Sequence, residues 1–237
     1  MLAESRTLIL EQLVEDDLVL DVGGGARPFT RADWVLDLMP YEARATHGSD
    51  GDGESERFTA DTWVRRDICA RTPWPFADGQ FDFSVCSHTL EDVRDPVFVC
   101  QELIRVSRAG YVEVPSRLEE QTYGFQGPWV GWSHHRWLID LDEDELTFVF
   151  KPHVLHGRPS DQFPTSFRDG LNSRQRVLCL WWRGSFRFRE RVFLEASGLD
   201  AYLAELVARQ GTPRTRLGTG PARLNLRAWR GARGRRR

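Results

Sequence analysis

Val19-Leu20-Asp21-Val22-Gly23-Gly24-Gly25 sets a short apolar strand directly against three glycines. Glycines at a strand end let the backbone turn sharply and approach a ligand with no Cβ in the way. In an open parallel sheet, ligands bind at the carboxyl ends of the strands. The strands that follow fit such a sheet. Trp34 to Met39 is apolar apart from Asp37, Val64 to Asp67 is a short third candidate, and Phe81 to Cys86 is the clearest. Asp95-Pro96 opens a helix whose apolar stripe is expected at Val97, Cys100, Leu103, Ile104 and Ser107. Ala109-Gly110 closes it, and the strand Tyr111 to Val114 ends at Pro115. Strand, helix and strand in this order predict an α/β, Rossmann-like three-layer sandwich with a mainly parallel sheet.

Outside this block, residues 1 to 16 read as an entry helix and 41 to 61 as a mobile loop. Leu146 to Phe150, Gln175 to Arg183 and Phe186 to Leu194 read as strands. The last two would form a hairpin at an antiparallel C-terminal edge. Leu199 to Val207 is helix-like. Residues 1 to 211 are expected as one domain, with 116 to 175 as an elaboration on the acceptor side and 212 to 237 as a flexible basic tail.

The 237 residues carry a formal charge of −3. Between 212 and 237 lie nine arginines and no acid, so the remainder carries −12. An acidic body repels a nucleic-acid backbone, and the arginine run has no aromatic interleaving after Trp229. Nucleic-acid binding through the tail is therefore the weaker alternative. A non-catalytic interaction subunit is another. No apolar run is long enough to cross a bilayer, no signal peptide is visible, and the four cysteines form no CxxC pair. A cytoplasmic protein without a disulfide scaffold is expected.

Asp37, sixteen residues after Asp21, falls at the second strand end, where a carboxylate can accept two ribose hydroxyls. Asp67 falls at the third. Singly these are a structural turn, a cap and a surface acid; in strand-end register they point to a nucleotide-like cofactor. A dinucleotide is disfavoured, because Pro28 stands where the third glycine of GxGxxG belongs. Only about one helical turn fits between Gly25 and Trp34, which leaves a pyrophosphate no helix N-terminus. A sulfonium cofactor needs none, and acidic neighbours attract it.

From Leu18 to Pro115 the chain resembles the class I S-adenosylmethionine-dependent methyltransferases, nearest the type-11-like small group. The DxGxG motif of that family is matched by Asp21 to Gly25. Its fourth-strand segment is matched by Phe81-Asp82-Phe83-Ser84-Val85-Cys86-Ser87-His88-Thr89-Leu90-Glu91-Asp92-Val93 and then Asp95-Pro96. The resemblance implies that Asp21, Gly23, Gly24, Gly25, Asp37, Leu38, Asp67, Ile68 and Ser87 surround S-adenosyl-L-methionine. It also implies methyl transfer; the motifs are silent on the acceptor, which is expected to be a small molecule. Asp92 replaces the family's frequent histidine, so any role of that histidine does not carry over.

His88 follows the fourth strand. His134, His135 and Arg136 lie in the run Gly131 to Trp137, after the fifth. These three histidines are the candidate catalytic residues, able to take a proton from an acceptor or, once charged, to orient its carboxylate. Trp129, Trp132 and Trp137 are either pocket walls or a local core. A metal set built from His88, His134 or His135 with Asp92 is weighed and set aside. Adjacent histidines seldom face one ion unless the backbone is irregular, so no metal is expected.

Overall fold

The computed structural model describes residues 1–44 and 55–211. Part of the 41–61 loop and the whole basic tail lie outside these residues. The helical and strand elements run α1 (Ala3–Gln12), β1 (Val19–Val22), β2 (Trp34–Asp37), β3 (Trp63–Arg65), β4 (Phe83–Ser87), α2 (Pro96–Val106), β5 (Ala109–Pro115), α3 (Arg117–Glu120), β6 (Trp137–Asp142), β7 (Glu145–Phe150), α4 (Thr165–Asp169), α5 (Ser173–Arg176), β8 (Val177–Arg183), β9 (Arg187–Glu190) and α6 (Ala196–Gly211).

Six strands form one sheet in the order β3-β2-β1-β4-β5-β8. All its pairs are parallel except β5 with β8. The chain steps from β1 to β2 on one side and returns through β4 on the other. The ends of β1 and β4 therefore flank a topological switch point, where a crevice opens.

Side-chain alternation splits the core in two. Leu20, Val22, Leu36, Cys86, Val112, Val114 and Trp182 pack on the α2 side. Val19, Val35, Phe83, Val85 and Tyr111 pack on the other, beneath Ile9 of α1. Each fully buried Leu or Val contributes about 1.5–3 kcal/mol. Trp181 and Trp182 both face core, because this edge strand is covered on both sides: Trp181 packs against Tyr111 in a tilted contact, ring centroids 4.7 Å apart.

Asp95 caps α2 by accepting the Phe98 N–H at 3.0 Å, with Pro96 in the first turn. The buried stripe of α2 is Val99, Cys100, Leu103 and Val106, rotated from the expected one. Apolar residues cover more than one side of this helix, so periodicity alone does not choose which side docks. As the short interval requires, no helix joins β1 to β2. Two turns do so, closed by Arg27 N–H to Gly24 O (3.1 Å) and Ala32 N–H to Phe29 O (2.9 Å).

Beyond β5, β6 and β7 pair antiparallel, and β9 adds parallel to β7. Trp137, Ile139, Leu146 and Phe148 turn one face of this small sheet into the α2-side core. Leu138 and Val149 turn the other toward Tyr202 and Leu203 of α6. The expected hairpin of β8 with β9 does not form. Trp182 and Phe186 both reach the α2-side core, and the Gly184 turn between them hands the chain from one sheet to the other. The entry helix is shorter than expected, ending at Gln12. Among the described residues no helix is long and apolar enough to cross a membrane.

Candidate active site

The glycine turn is held from three sides. Gly23 and Gly25 adopt φ of +71° and +57°, which side chains rarely tolerate. The Thr89 hydroxyl donates to Gly23 O at 3.1 Å and fills the space a Gly23 Cβ would need. A Gly24 Cβ would meet Asp21 Oδ2 at 2.6 Å and Pro28 Cβ at 2.9 Å. A Gly25 Cβ would meet nothing closer than 4.0 Å, so that side of the turn is open. Gly24→Ala is accordingly expected to cost about 2 kcal/mol by overpacking and at least tenfold in cofactor affinity, read by urea unfolding and calorimetry.

Asp21 is buried and accepts the Phe29 N–H at 2.6 Å. It braces the turn from beneath rather than facing the crevice. Burial pushes its carboxyl up to about 7. A carboxyl raised by folding binds more protons folded than unfolded between about 4 and 7, so this contribution to stability falls as pH rises through that range. Unfolding of Asp21→Asn at several pH values should show a flatter dependence there than the parent.

Asp37 sits one strand over. Its Oδ2 accepts the Gly25 N–H at 2.7 Å and its Oδ1 the Met39 N–H at 2.6 Å. Each oxygen keeps a lone pair for a hydroxyl. Leu38 beside it is 65 % exposed, an apolar surface at the crevice mouth. Asp67 accepts the Cys69 N–H at 2.9 Å and pairs with Arg94 at 2.7 Å. Against the pull of burial, these partners hold its carboxyl below the usual range. Ile68 is buried in the α2-side core. Ser87 sits at the end of β4, its hydroxyl 3.4 Å from Glu113 Oε1. The buried acid, the open glycine side and the exposed leucine fit an adenosyl ligand; Asp67 is already paired with Arg94.

A second space, of about 390 Å³, opens beside the end of β4. Its lining includes His88, Asp92, Glu119, Trp132, His134 and His135. The glycine turn is not part of it. Ser87 to Thr89 connects the two: Thr89 grips the turn and His88 lines the cavity.

His88 has φ +53°, held by its N–H on Glu113 O at 2.8 Å. Its Nε2 lies 3.1 Å from Glu113 Oε1 and its Nδ1 3.3 Å from Glu91 Oε1. Both carboxylates are 1 % exposed. Although burial opposes it, the two acids raise His88 to about 9. The Leu2 N–H and Tyr111 hydroxyl join His88 in holding Glu113 down at about 2. His88 is therefore an imidazolium at neutral pH. It can orient an anionic acceptor, and its two acids favour that role over proton removal.

His134 and His135 arrive from the connection before β6. Arg136 N–H to Glu91 O (2.7 Å) and Trp137 Nε1–H to Val93 O (2.7 Å) stitch that connection to the segment after β4. Both imidazoles then face Asp92, with Nε2 atoms 4.0 and 3.8 Å from its Oδ1. His135 Nδ1 bonds Glu120 Oε1 at 2.7 Å, and Lys151 Nζ donates to Glu120 Oε2 at 2.9 Å. Of the other acceptor-side candidates, Arg136 is exposed and outside the cavity lining. Trp132 lines the cavity, Trp137 is core and Trp129 meets His156 edge to face. Sequence reasoning missed Thr89, Glu113, Glu120 and Lys151. Lys151, the single lysine of the sequence, was the only signal, and the partners Gly23, His88 and His135 lie far from Thr89, Glu113 and Glu120 in the chain.

Residues 20–112 match the family described as a methyltransferase domain. The matched segment spans β1 to β5 and holds the glycine turn, Asp37, Asp67 and the end of β4. No curated protein matches the chain. Among solved structures, an S-adenosylmethionine-dependent methyltransferase from Mesorhizobium loti is similar at 19 % identity and TM-score 0.37, over 64 % of each chain. One from Methanosarcina mazei is similar at 18 % and 0.38, over 56 % of this chain and 85 % of its own. The YcgJ protein of Bacillus subtilis is similar at 19 % and 0.35, over 48 % and 51 %. The chain thus spans about half the length of the last, and 64 % of the first. Residues 20–112 thus resemble a methyltransferase domain, and S-adenosylmethionine is the cofactor named for the Mesorhizobium loti and Methanosarcina mazei proteins.

Proposed function

We propose that the protein transfers a methyl group from S-adenosylmethionine to a small-molecule acceptor in the cytoplasm. The observation that carries this reading is the glycine turn closed by Asp37 and Thr89 at the switch point between β1 and β4. When bound, the cofactor supplies an activated methyl on a sulfonium. The open side of Gly25 receives its methionine portion, Asp37 its ribose hydroxyls, and Leu38 with the Asp67–Ile68 corner its adenine. Asp21 acts through the turn.

The acceptor occupies the 390 Å³ cavity, much of whose lining comes from residues 116–175. His88 offers a fixed positive charge, while His134 and His135 line the far wall. In-line transfer requires mainly alignment of the nucleophile and exclusion of water. Four free cysteines, three of them buried, suit a reducing compartment.

The test is incubation of the full chain with methyl-labelled cofactor and small phenols, carboxylic acids, thiols and amines. Label transfer with stoichiometric S-adenosylhomocysteine is expected for at least one class. Saturable cofactor binding without turnover on any class would overturn the enzyme reading and leave a binding subunit.

A further inference from the structure

We propose that Asp92, His134 and His135 bind a divalent transition-metal ion of the zinc kind on the wall of the acceptor cavity. One ligand atom from each of Asp92, His134 and His135 lies within 4.8 Å of the other two, and both Nε2 atoms face Asp92 Oδ1. Two imidazoles and a carboxylate are a borderline ligand set that suits zinc and its first-row neighbours.

The orientation of His135 makes this more than proximity. Glu120 accepts from Nδ1 at 2.7 Å, which places a proton there and turns Nε2 toward Asp92 as the ligand position. Glu120 is itself 1 % exposed and fixed by Lys151. A carboxylate on the far nitrogen is how metal-bound histidines are commonly held.

Asp92 Oδ1 is buried and has no hydrogen-bond partner. At 3.8 Å the gap to His135 Nε2 is too long for a hydrogen bond. A ring nitrogen and a carboxylate oxygen thus face each other across a space that suits a cation. Tetrahedral coordination at about 2.0–2.2 Å needs the two separations from Asp92 to close by roughly half an ångström.

A separate observation points the same way. Both carboxylate oxygens of Glu91, the neighbouring residue, are buried without a hydrogen bond. Of the cations nearby, His88 reaches one of them at 3.3 Å. This leaves negative charge beside the gap that a divalent ion offsets.

The sequence-level objection to adjacent histidines is met by the backbone. Gly131 at φ +64° and the irregular stretch from Trp132 to Arg136 turn both rings toward one oxygen. The fourth position faces the cavity. There a bound ion lowers the pKa of an acceptor hydroxyl or thiol, so His134 and His135 act as ligands rather than as proton acceptors. That last step rests on the proposed function; metal binding itself does not.

The experiment uses chelator-treated full chain titrated with Zn²⁺ by calorimetry and with Co²⁺ by visible absorption. One equivalent at micromolar affinity or tighter is expected, with d–d bands of a low-coordinate cobalt site. Asp92→Ala and His135→Ala should each lose at least 100-fold. Exposed His134→Ala should lose as much with unchanged unfolding. Glu120→Gln should weaken binding by about 10- to 100-fold. His153→Ala, at an exposed histidine elsewhere, should bind as the parent does. No binding, or binding unaffected by His134→Ala, overturns the proposal. S-adenosylhomocysteine titrated in parallel separates the readings, since its binding without metal sinks only the metal site and the reverse sinks only the cofactor site.

Discussion

Asp37→Ala is expected to weaken S-adenosylhomocysteine binding by about 100-fold, the largest effect of any single change on the cofactor side. The carboxylate is placed to accept two ribose hydroxyls, and hydrogen bonds to a charged group contribute about 1.5–3 kcal/mol each. A 100-fold loss corresponds to about 2.7 kcal/mol. The same change removes the acceptor for the Gly25 N–H, bonded at 2.7 Å, so the turn loosens as well. Asp37→Asn keeps one acceptor oxygen and should lose less. Calorimetry reads both variants, and an affinity within threefold of the parent in Asp37→Ala would remove Asp37 from the site.

His88→Asn is expected to destabilise the protein by about 2 kcal/mol near pH 6. Asparagine tolerates the left-handed backbone at this position, so the loss reports the charge and not the conformation. Removing the cation leaves Glu91 and Glu113 buried without it, and breaking one partner of a buried pair is costly. Solvent at the half-exposed ring moderates the figure. The pH dependence distinguishes this from a packing effect. His88 is raised to about 9 by its two acids, so its contribution is complete below its ordinary value of 6.5 and lost as pH rises through 9. Glu113 is lowered to about 2, so its contribution is complete above 4.5 and lost as pH falls toward 2. Urea unfolding should show the parent losing stability between pH 7 and 10 while the variant does not. Parallel curves would show that the imidazolium contributes nothing.

The cofactor half was legible because its signals are local. A glycine run directly after an apolar strand, one acid at the next strand end and Asp-Pro before a helix each declare backbone geometry within a few residues. The rotation of α2 was not legible, since its apolar residues occupy more than one stripe and only the facing sheet selects between them. The acceptor half was read as loose strands and histidines for a different reason. β6 was missed, and β8 and β9 were paired with each other. Their true partners, β5 and β7, are fixed by where Trp182 and Phe186 find core rather than by the Gly184 turn.

The chemistry of the histidines depended on groups far away in the chain. His88 reads as a base until Glu113, twenty-five residues on, is seen to hold it charged. Adjacent His134 and His135 read as a poor ligand pair until Gly131 and the stitch between Arg136 and Glu91 turn both to Asp92. Glu120 and Lys151 gave no signal beyond the rarity of lysine, yet they set the tautomer of His135.

The central claim is that the crevice between β1 and β4 holds an adenosyl cofactor without phosphates. It is tested most directly by calorimetric titration of the unmodified chain with S-adenosylhomocysteine and, separately, with NAD. One-to-one binding of S-adenosylhomocysteine at micromolar affinity, with no heat from NAD, is the predicted result. A folded protein that binds NAD, or that gives no heat with S-adenosylhomocysteine, would contradict it.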